Sequence, residues 1–600
     1  MAAVEQLITE NLNVWSSAIK TKSSAGRGSS KGLDLYGIKK LRALILELAV
    51  RGLLVPQDAD DEPASKLLEK IKAKKAQLTK DKQIKKQKQL TEIKEPEKPF
   101  NVPQGWEWAK VGDVSLLKGG YAYKSKEFLE ESDFQVIRMG NIRPNNFRIN
   151  EKSVFITPEI AENTLEYEIL SGDILLTMTG TKGKRDYLYS LLVNEQDLVK
   201  RKLYLNQRLC ISRVLEANAA YLNIVMKVDS LLDSIYEKST GTANQANIGM
   251  EAISNWVIPL PGCLEQTRIV AKVDELMALC DQLEQQQESS ISAHQILVET
   301  LLAALTNAGE KGEFNQAWAR IADHFDTLFT TGPCGEWSID QLKQTILQLA
   351  VMGKLVPQDP NLMKHLAKNY NNEVIGERAL ASLPKSTGKY EKSIFDSSKN
   401  RVVIPDNWSM EPLADLALTI VDCPHSTPKW SDSGEICVRT SQFKPGLLDL
   451  SSTRYVSSET YLKRVERLVP EEGDILYSRE GGILGVACII PNGVKLCLGQ
   501  RMMLIRPPSF IESKYLEMIL NSPFINAVAQ ENTTGGAAPR VNLTTVKAYP
   551  VPIPPIEEQN RIVAKVDGLM SLCENLKTRI NESQTTQLHL ADAMAEQALS

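Results

Sequence analysis

The stretch EQTRIVAKVDELMALCDQL at 265–283 returns as EQNRIVAKVDGLMSLCENL at 558–576, with 14 of 19 positions identical. The stretch IDQLKQTILQLAVMGKLVPQD at 339–359 already stands near the N-terminus as IKKLRALILELAVRGLLVPQD at 38–58, with 13 of 21 identical. The middle of the chain is therefore its C-terminal segment joined to its N-terminal segment. That order marks a two-unit repeat cut at a permuted point. If the two ends are brought together, two equal helical segments separate two other blocks. A repeat on this scale dictates architecture before any local reading does.

Both repeated segments read as helices. Ile269, Val273, Leu276, Cys280 and Leu283 step by four and three, as do Ile562, Val566, Leu569, Cys573, Leu576 and Ile580. A seven-residue apolar period flanked by Gln, Glu, Lys and Asp predicts a helix-on-helix seam. The other pair carries Ile38, Leu41, Ile45 and Leu48 before Gly52, and Ile339, Leu342, Ile346 and Leu349 before Gly353. Glycine followed by Pro56 or Pro357 then stops each helix. Residues 1–58 read as helical. Residues 66–98 carry twelve Lys against five acids, and the second copy lacks this stretch. They predict a solvated helix or tether, or else a non-specific contact with DNA or a partner.

The blocks at about 100–262 and 401–555 change character, with Gly, Pro, aromatic and β-branched residues in short alternating runs. They share an outline and little detail. Pro103-Gln-Gly-Trp106 answers Pro405-Asp-Asn-Trp408, and Val136-Ile-Arg138-Met-Gly-Asn141 answers Cys437-Val-Arg439-Thr-Ser-Gln442. Gly172-Asp-Ile-Leu175 answers Gly473-Asp-Ile-Leu476, and Leu205-Asn-Gln-Arg208 answers Leu498-Gly-Gln-Arg501. Thr240-Gly-Thr-Ala243 answers Thr534-Gly-Gly-Ala537, and both blocks end in proline-spaced strands that run into the Glu-Gln-x-Arg helix. Alike helices and unlike blocks suggest one architecture doing two recognition jobs.

Six hundred residues are too many for one core. The composition, 42% hydrophobic and 24% charged, is ordinary for a globular protein. No apolar run is long enough to span a bilayer, and the N-terminus lacks the pattern of a secretory signal. Nine cysteines without CxxC spacing predict buried free thiols in a reducing cytoplasm. Five scattered histidines give no metal cluster. A net charge of −4 argues against a sequence-blind nucleic-acid coat, and leaves room for a reader with its basic side chains on one face.

On these paired motifs the chain resembles the specificity (S) subunit of Type I restriction–modification systems. The carrying residues are the two Glu-Gln-x-Arg-Ile-Val-Ala-Lys-Val-Asp segments, the two Leu-Ala-Val-x-Gly-x-Leu-Val-Pro-Gln-Asp segments, and the paired blocks with their Trp, Gly-Asp-Ile-Leu, Gln-Arg and Thr-Gly signatures. The Lys-rich insert and the long segment after Asp359 stand outside the minimal pattern. The resemblance implies an α+β fold: two globular α/β target-recognition domains separated by a pair of long antiparallel coiled-coil helices, in a pseudo-two-fold, circularly permuted repeat. The expected division is a helical region at 1–99, recognition domains at 100–262 and 401–555, a central helical region at 263–400 and a C-terminal one at 556–600. It further implies double-stranded DNA with a split recognition sequence, two methyltransferase subunits docked on the helices, and restriction subunits joined through them. S-adenosylmethionine, ATP and Mg are expected on those partners and no cofactor or metal on this chain.

The residues themselves show no catalytic set. Asn521-Ser-Pro-Phe524 lacks a proline of the adenine-methyltransferase motif and has no glycine loop upstream, so it predicts a turn that starts a helix. Gly180-Thr-Lys-Gly-Lys184 lacks the spacing and the hydroxyl of a phosphate-binding loop. Binding must then come from side chains in the variable blocks. Arg and Lys read guanine, Asn and Gln read adenine, and phosphates take Lys, Arg and backbone NH groups. The candidates are Arg138, Asn141, Arg143, Lys182, Lys184, Arg185 and Arg208 in the first block, and Arg439, Gln442, Arg479, Arg501 and Arg540 in the second. An adaptor whose two blocks bind proteins is the competing reading; it predicts no steep salt dependence of DNA binding.

Overall fold

The computed structural model describes residues 2–21, 33–144, 146–242, 245–330, 334–358, 370–383, 389–535 and 539–599. Ala243, Asp359, Gly536 and Ala537 of the repeated motifs lie outside these. The chain forms two compact units, one of residues 1–23, 31–288 and 584–600, the other of 24–30 and 289–583. The division falls within two long helices, Cys263–Asn307 and Ile556–Leu599.

In the first unit the helix Tyr36–Val50 buries Ile38, Leu41, Ile45 and Leu48, the stripe expected from the sequence. Ile269, Val273, Leu276 and Cys280 are buried as well. Arg42 reaches across to Asp281 at 2.6 Å and Glu284 at 2.8 Å. The C-terminal turns of the chain pack onto its beginning: the Tyr36 hydroxyl donates to Asp592 at 2.7 Å, and Lys40 pairs with the same carboxylate. Residues 1–58 are less uniformly helical than expected. Helices Ala2–Thr9, Leu12–Ser17 and Tyr36–Val50 are interrupted by the strand pair Lys20–Thr21 and Leu33–Asp34. The last helix stops at Val50 because Gly52 takes φ +69°. Leu53 N then donates to Leu48 O at 3.0 Å, which closes the C-terminal turn.

The second unit repeats this frame. Ile562, Val566, Cys573 and Ile580 pack in one core with Ile339, Leu342, Ile346 and Leu349. Lys343 pairs with Glu574, at the positions equivalent to Arg42 and Asp281. Lys577 bridges Glu336 at 3.1 Å and Asp340 at 2.9 Å. Gly353 takes φ +65°, and Lys354 N donates to Leu349 O at 3.0 Å.

Each unit carries one sheet-rich block, and the two blocks share their central strand pairings. In the first, strands Ser190–Leu192, Asp173–Thr177, Leu209–Val214 and Ser115–Gly119 form one antiparallel sheet. Phe134–Ile137 pairs in parallel with Lys202–Leu205 in another. The second block repeats both: Ala487–Ile489, Ile475–Ser478, Met502–Arg506 and Thr419–Asp422 in the first sheet, and Glu435–Val438 parallel to Leu496–Leu498 in the other. In each block, first and last strands pair, Glu107–Lys110 with Val257–Leu260 and Ser409–Pro412 with Pro550–Ile553.

The shared motifs fasten each block to its helix. Trp106 Nε1 donates to Glu265 at 2.8 Å, as Trp408 Nε1 does to Glu558 at 3.2 Å. Gln266 accepts from Asn218 N at 2.7 Å and donates to Pro261 O; Gln559 accepts from Glu512 N at 2.9 Å and donates to Pro554 O. The Glu-Gln signature is therefore a clamp that satisfies buried polar groups on both sides of the junction.

The second copy has no Lys-rich stretch, but a helix with similar contacts stands at a comparable place in each unit. The helix Ala64–Lys80 buries Ile71, and Lys75 Nζ donates to the carbonyls of Gly112 at 2.5 Å and Ser115 at 3.1 Å. Burial pushes that ammonium down to about 8. The helix Tyr370–Leu380 buries Val374, and Arg378 donates to the carbonyls of Ala417 and Leu418. The repeated feature is a buried aliphatic side chain and a cation four residues later. Lysine content is not part of it, so the sequences look unrelated.

Candidate nucleic-acid interface

In each block the chain leaves the parallel strand, turns at Gln-Arg, and enters the central antiparallel strand. Arg208 takes φ +68° and Arg501 φ +67°. Left-handed backbone is unfavourable for a side chain of this kind, and its persistence at one place in both blocks singles the place out. Three backbone bonds fix it. Met178 N donates to Arg208 O at 3.0 Å, Ile248 N to Met178 O at 2.9 Å, and Gly120 N to Leu209 O at 3.0 Å. The second block makes the same three: Arg479 N to Arg501 O, Val541 N to Arg479 O, and Cys423 N to Met502 O. A Cβ on Gly120 would lie 1.9 Å from Asn206 O, so the first block needs glycine there, whereas Cys423 stands at the equivalent place in the second. Both arginines are exposed, and neither guanidinium has a partner among the described residues.

Around Arg208 the first block is hollow. Three adjoining concavities of 620, 550 and 460 Å3 share Arg208 as a wall. The corresponding place in the second block is built from different side chains. Arg479 stands where the first block has Met178, and it holds Asp422 in a fork at 3.0 and 2.9 Å, where the first block has Gly119. Glycine and methionine line the trough of the first block, and an ion pair stands at these positions in the second.

The candidate side chains divide into those used by the fold and those left available. Asn141 is 3% exposed; it accepts from Arg138 N and donates to Arg148 O and Glu151 O, all at 2.9 Å. Gln442 is 4% exposed and does the same between Arg439 N and Asp449 O. The expectation that these two amides read bases is corrected: their hydrogen bonds hold a turn. Arg479 is corrected for the same reason, being 8% exposed and tied to Asp422. Arg185 is exposed and pairs with Asp229 and Asp233, which cancel its charge locally.

Arg138 and Arg143 are half-buried on the wall of the smallest concavity. Arg138 donates to Lys152 O, and Arg143 to Met139 O and Ile142 O. Lys182 and Lys184 are exposed on a turn fixed by Asp186, which accepts from Thr181 N and Oγ1 at 2.7 Å. Arg439 is half-buried, with its Nε buried and unpartnered among the described residues. Arg540 is exposed. Gln207, Gln245 and Asn247, which the candidates from sequence do not include, are exposed amides that line the trough beside Arg208. Their signal was obscured by length. Asn247 follows Thr240 by seven residues, whereas its counterpart follows Thr534 by six.

Asn521-Ser-Pro-Phe524 is structural, as expected. Ser522 Oγ caps the helix Pro523–Glu531 by accepting from Ile525 N, and Asn521 bonds both backbone groups of Ala487. Among the described residues no His, Cys, Asp and Glu group could hold a metal, and no helix is long and apolar enough to cross a membrane. The cysteines are free, and all but Cys263 are buried. The arrangement offers fixed donors and amides on exposed turns, which suits binding.

Comparison with known proteins agrees. The family model described as "Type I restriction modification DNA specificity domain" matches twice, at 103–293 and 405–583. The chain is 35% identical over 612 residues to the Type I restriction enzyme EcoAI specificity subunit of Escherichia coli, and 34% identical over 624 residues to the EcoEI specificity subunit, also of Escherichia coli. Both alignments cover 100% of either chain. A chain in a solved structure of a type I R-M system is 17% identical with a TM-score of 0.47, over 84% of this chain and 99% of that one. With both blocks matched by the family model and two full-length relatives above the level of chance likeness, the chain belongs to the specificity subunits of Type I restriction–modification systems, their non-catalytic, DNA-recognising component.

Proposed function

We propose that this chain reads a split duplex target, one half by each block, and that its two helical frames seat two methyltransferase subunits, through which restriction subunits join. The observation that carries the reading is the recurrence of one exposed, left-handed Gln-Arg tip in two blocks whose surroundings differ. One tip stands in a trough and the other near the Arg479–Asp422 ion pair, which is consistent with two different half-sites. The duplicated frame supports two equivalent partners, because each unit presents the same helices in the same register. Methyl transfer, ATP hydrolysis and their Mg belong to the partners, and the complex works in the cytoplasm, where the thiols stay reduced.

The first block has 18 basic and 20 acidic residues and the second 15 and 16, so phosphate attraction by the chain alone is weak. Tight binding then needs basic surface from the methyltransferase subunits. The test is to express the chain with its methyltransferase subunit and sequence the methylome of the host. A bipartite methylated motif is expected. Native mass spectrometry should give two methyltransferase subunits per chain, and a one-to-one complex at saturation would contradict the docking model. DNA affinity of the complex should fall steeply with salt; a flat response would favour the adaptor.

A further inference from the structure

We infer that Asn247 and Arg540 are equivalent specificity-determining residues, reading adenine in the half-site of the first block and guanine in that of the second. The inference rests on the DNA-recognition reading above and deepens it to single bases. Their equivalence is set by the backbone. Asn247 is the register partner of both Thr179 and Thr240, and Arg540 bridges both Glu480 and Thr534. Thr240 Oγ1 donates to Asn247 O at 3.2 Å, and Thr534 Oγ1 to Arg540 O at 3.4 Å. The next residue, Ile248 or Val541, is fully buried and donates its N–H to the strand that holds the Gln-Arg tip. Strand alternation then turns residues 247 and 540 to the open face.

Both side chains are exposed, and neither has a partner among the described residues. Asn247 shares its trough with Gln207, Arg208 and Gln245. An amide is uncharged and gains little from a phosphate. Its paired donor and acceptor match N6 and N7 of adenine, as a guanidinium fork matches O6 and N7 of guanine. The two blocks thus place different readers on one backbone node. Lys182 and Lys184, both exposed, stand on a separate turn and suit phosphate.

The test uses the full chain with its methyltransferase subunit, read by methylome sequencing. Asn247→Ala should relax one adenine of the first half-site, lowering its preference on the order of ten- to a hundredfold, with the second half-site unchanged. Arg540→Ala should relax one guanine of the second half-site only. Asn247→Arg should move the first position toward guanine. Unchanged selectivity, a uniform loss across all bases, or an effect in the other half-site overturns the assignment. If Asn247→Ala abolishes methylation, Asn247→Arg decides: a motif with guanine at one position supports it, and no motif overturns it. A wild-type complex that methylates no split motif would instead refute the recognition reading itself.

Discussion

Two glycines show how closely single residues constrain the frame. Gly353 has φ +65°, and a Cβ there would lie 2.5 Å from Pro405 Cγ and 3.1 Å from the Trp408 ring. Gly52 meets Pro103 and Trp106 in the same way. Gly353→Ala combines left-handed strain with overpacking and should destabilise the second unit by about 2–4 kcal/mol. Hydrogen exchange resolved by unit would show this as faster opening in 289–583, and no change there would contradict it. Glu517 offers a second test. It is 3% exposed, and burial pushes its carboxyl up to about 8, against an ordinary value of 4.5. Between these values the folded state holds a proton that the unfolded state has lost. Stability of the second unit therefore falls as pH rises from about 4.5 to 8 and levels off above that. Glu517→Gln, which keeps the contact with Asn521, should flatten this slope and stabilise the unit at neutral pH. Thermal melts from pH 5 to 8.5 with parallel wild-type and variant slopes would refute it.

At the scale of elements, the seven-residue stripe was read directly because burial selects it. Ile562 is fully buried while Leu572, on the same helix, is 59% exposed. Ile562→Ala should cost about 2–5 kcal/mol, and Leu572→Ala should stay within about 0.5 kcal/mol. Equal losses in denaturant melts would mean that the seam is misplaced. The helices, the permuted order and the Gln-Arg tips were legible because periodicity, glycine stops and near-identical motifs are local signals. The lysine-poor helix Tyr370–Leu380 was not, because its equivalence to Ala64–Lys80 lies in carbonyls that Arg378 and Lys75 find in distant sequence. Nor was the division of the candidate readers. Asn141 and Asn247 are the same residue type in similar polar surroundings, and only tertiary contacts bury the first and expose the second.

The whole molecule repeats its clamps more faithfully than its recognition surfaces. Pro103 and Trp106 meet Gly52 and Glu265 as Pro405 and Trp408 meet Gly353 and Glu558. A second copy of 405–554, placed where 103–261 stands, would therefore find its glycine, its buried carboxylate and its glutamine waiting. It would also bring Arg501, Arg540 and the Arg479–Asp422 pair with it. What it would lose are contacts special to the first block, such as those of Ser230 with Glu47 at 3.0 and 2.8 Å. These are two hydrogen bonds, worth roughly 1–3 kcal/mol each where one partner is charged, so the chimera should fold with reduced stability in the first unit. Expressed with the methyltransferase subunit, it should methylate a motif in which the second block's half-site occurs twice and the first block's sequence is gone. Retention of the first half-site in the methylome would show that base reading lies outside the blocks. A chimera that binds its methyltransferase subunits but methylates no motif would show that the two frames are not interchangeable.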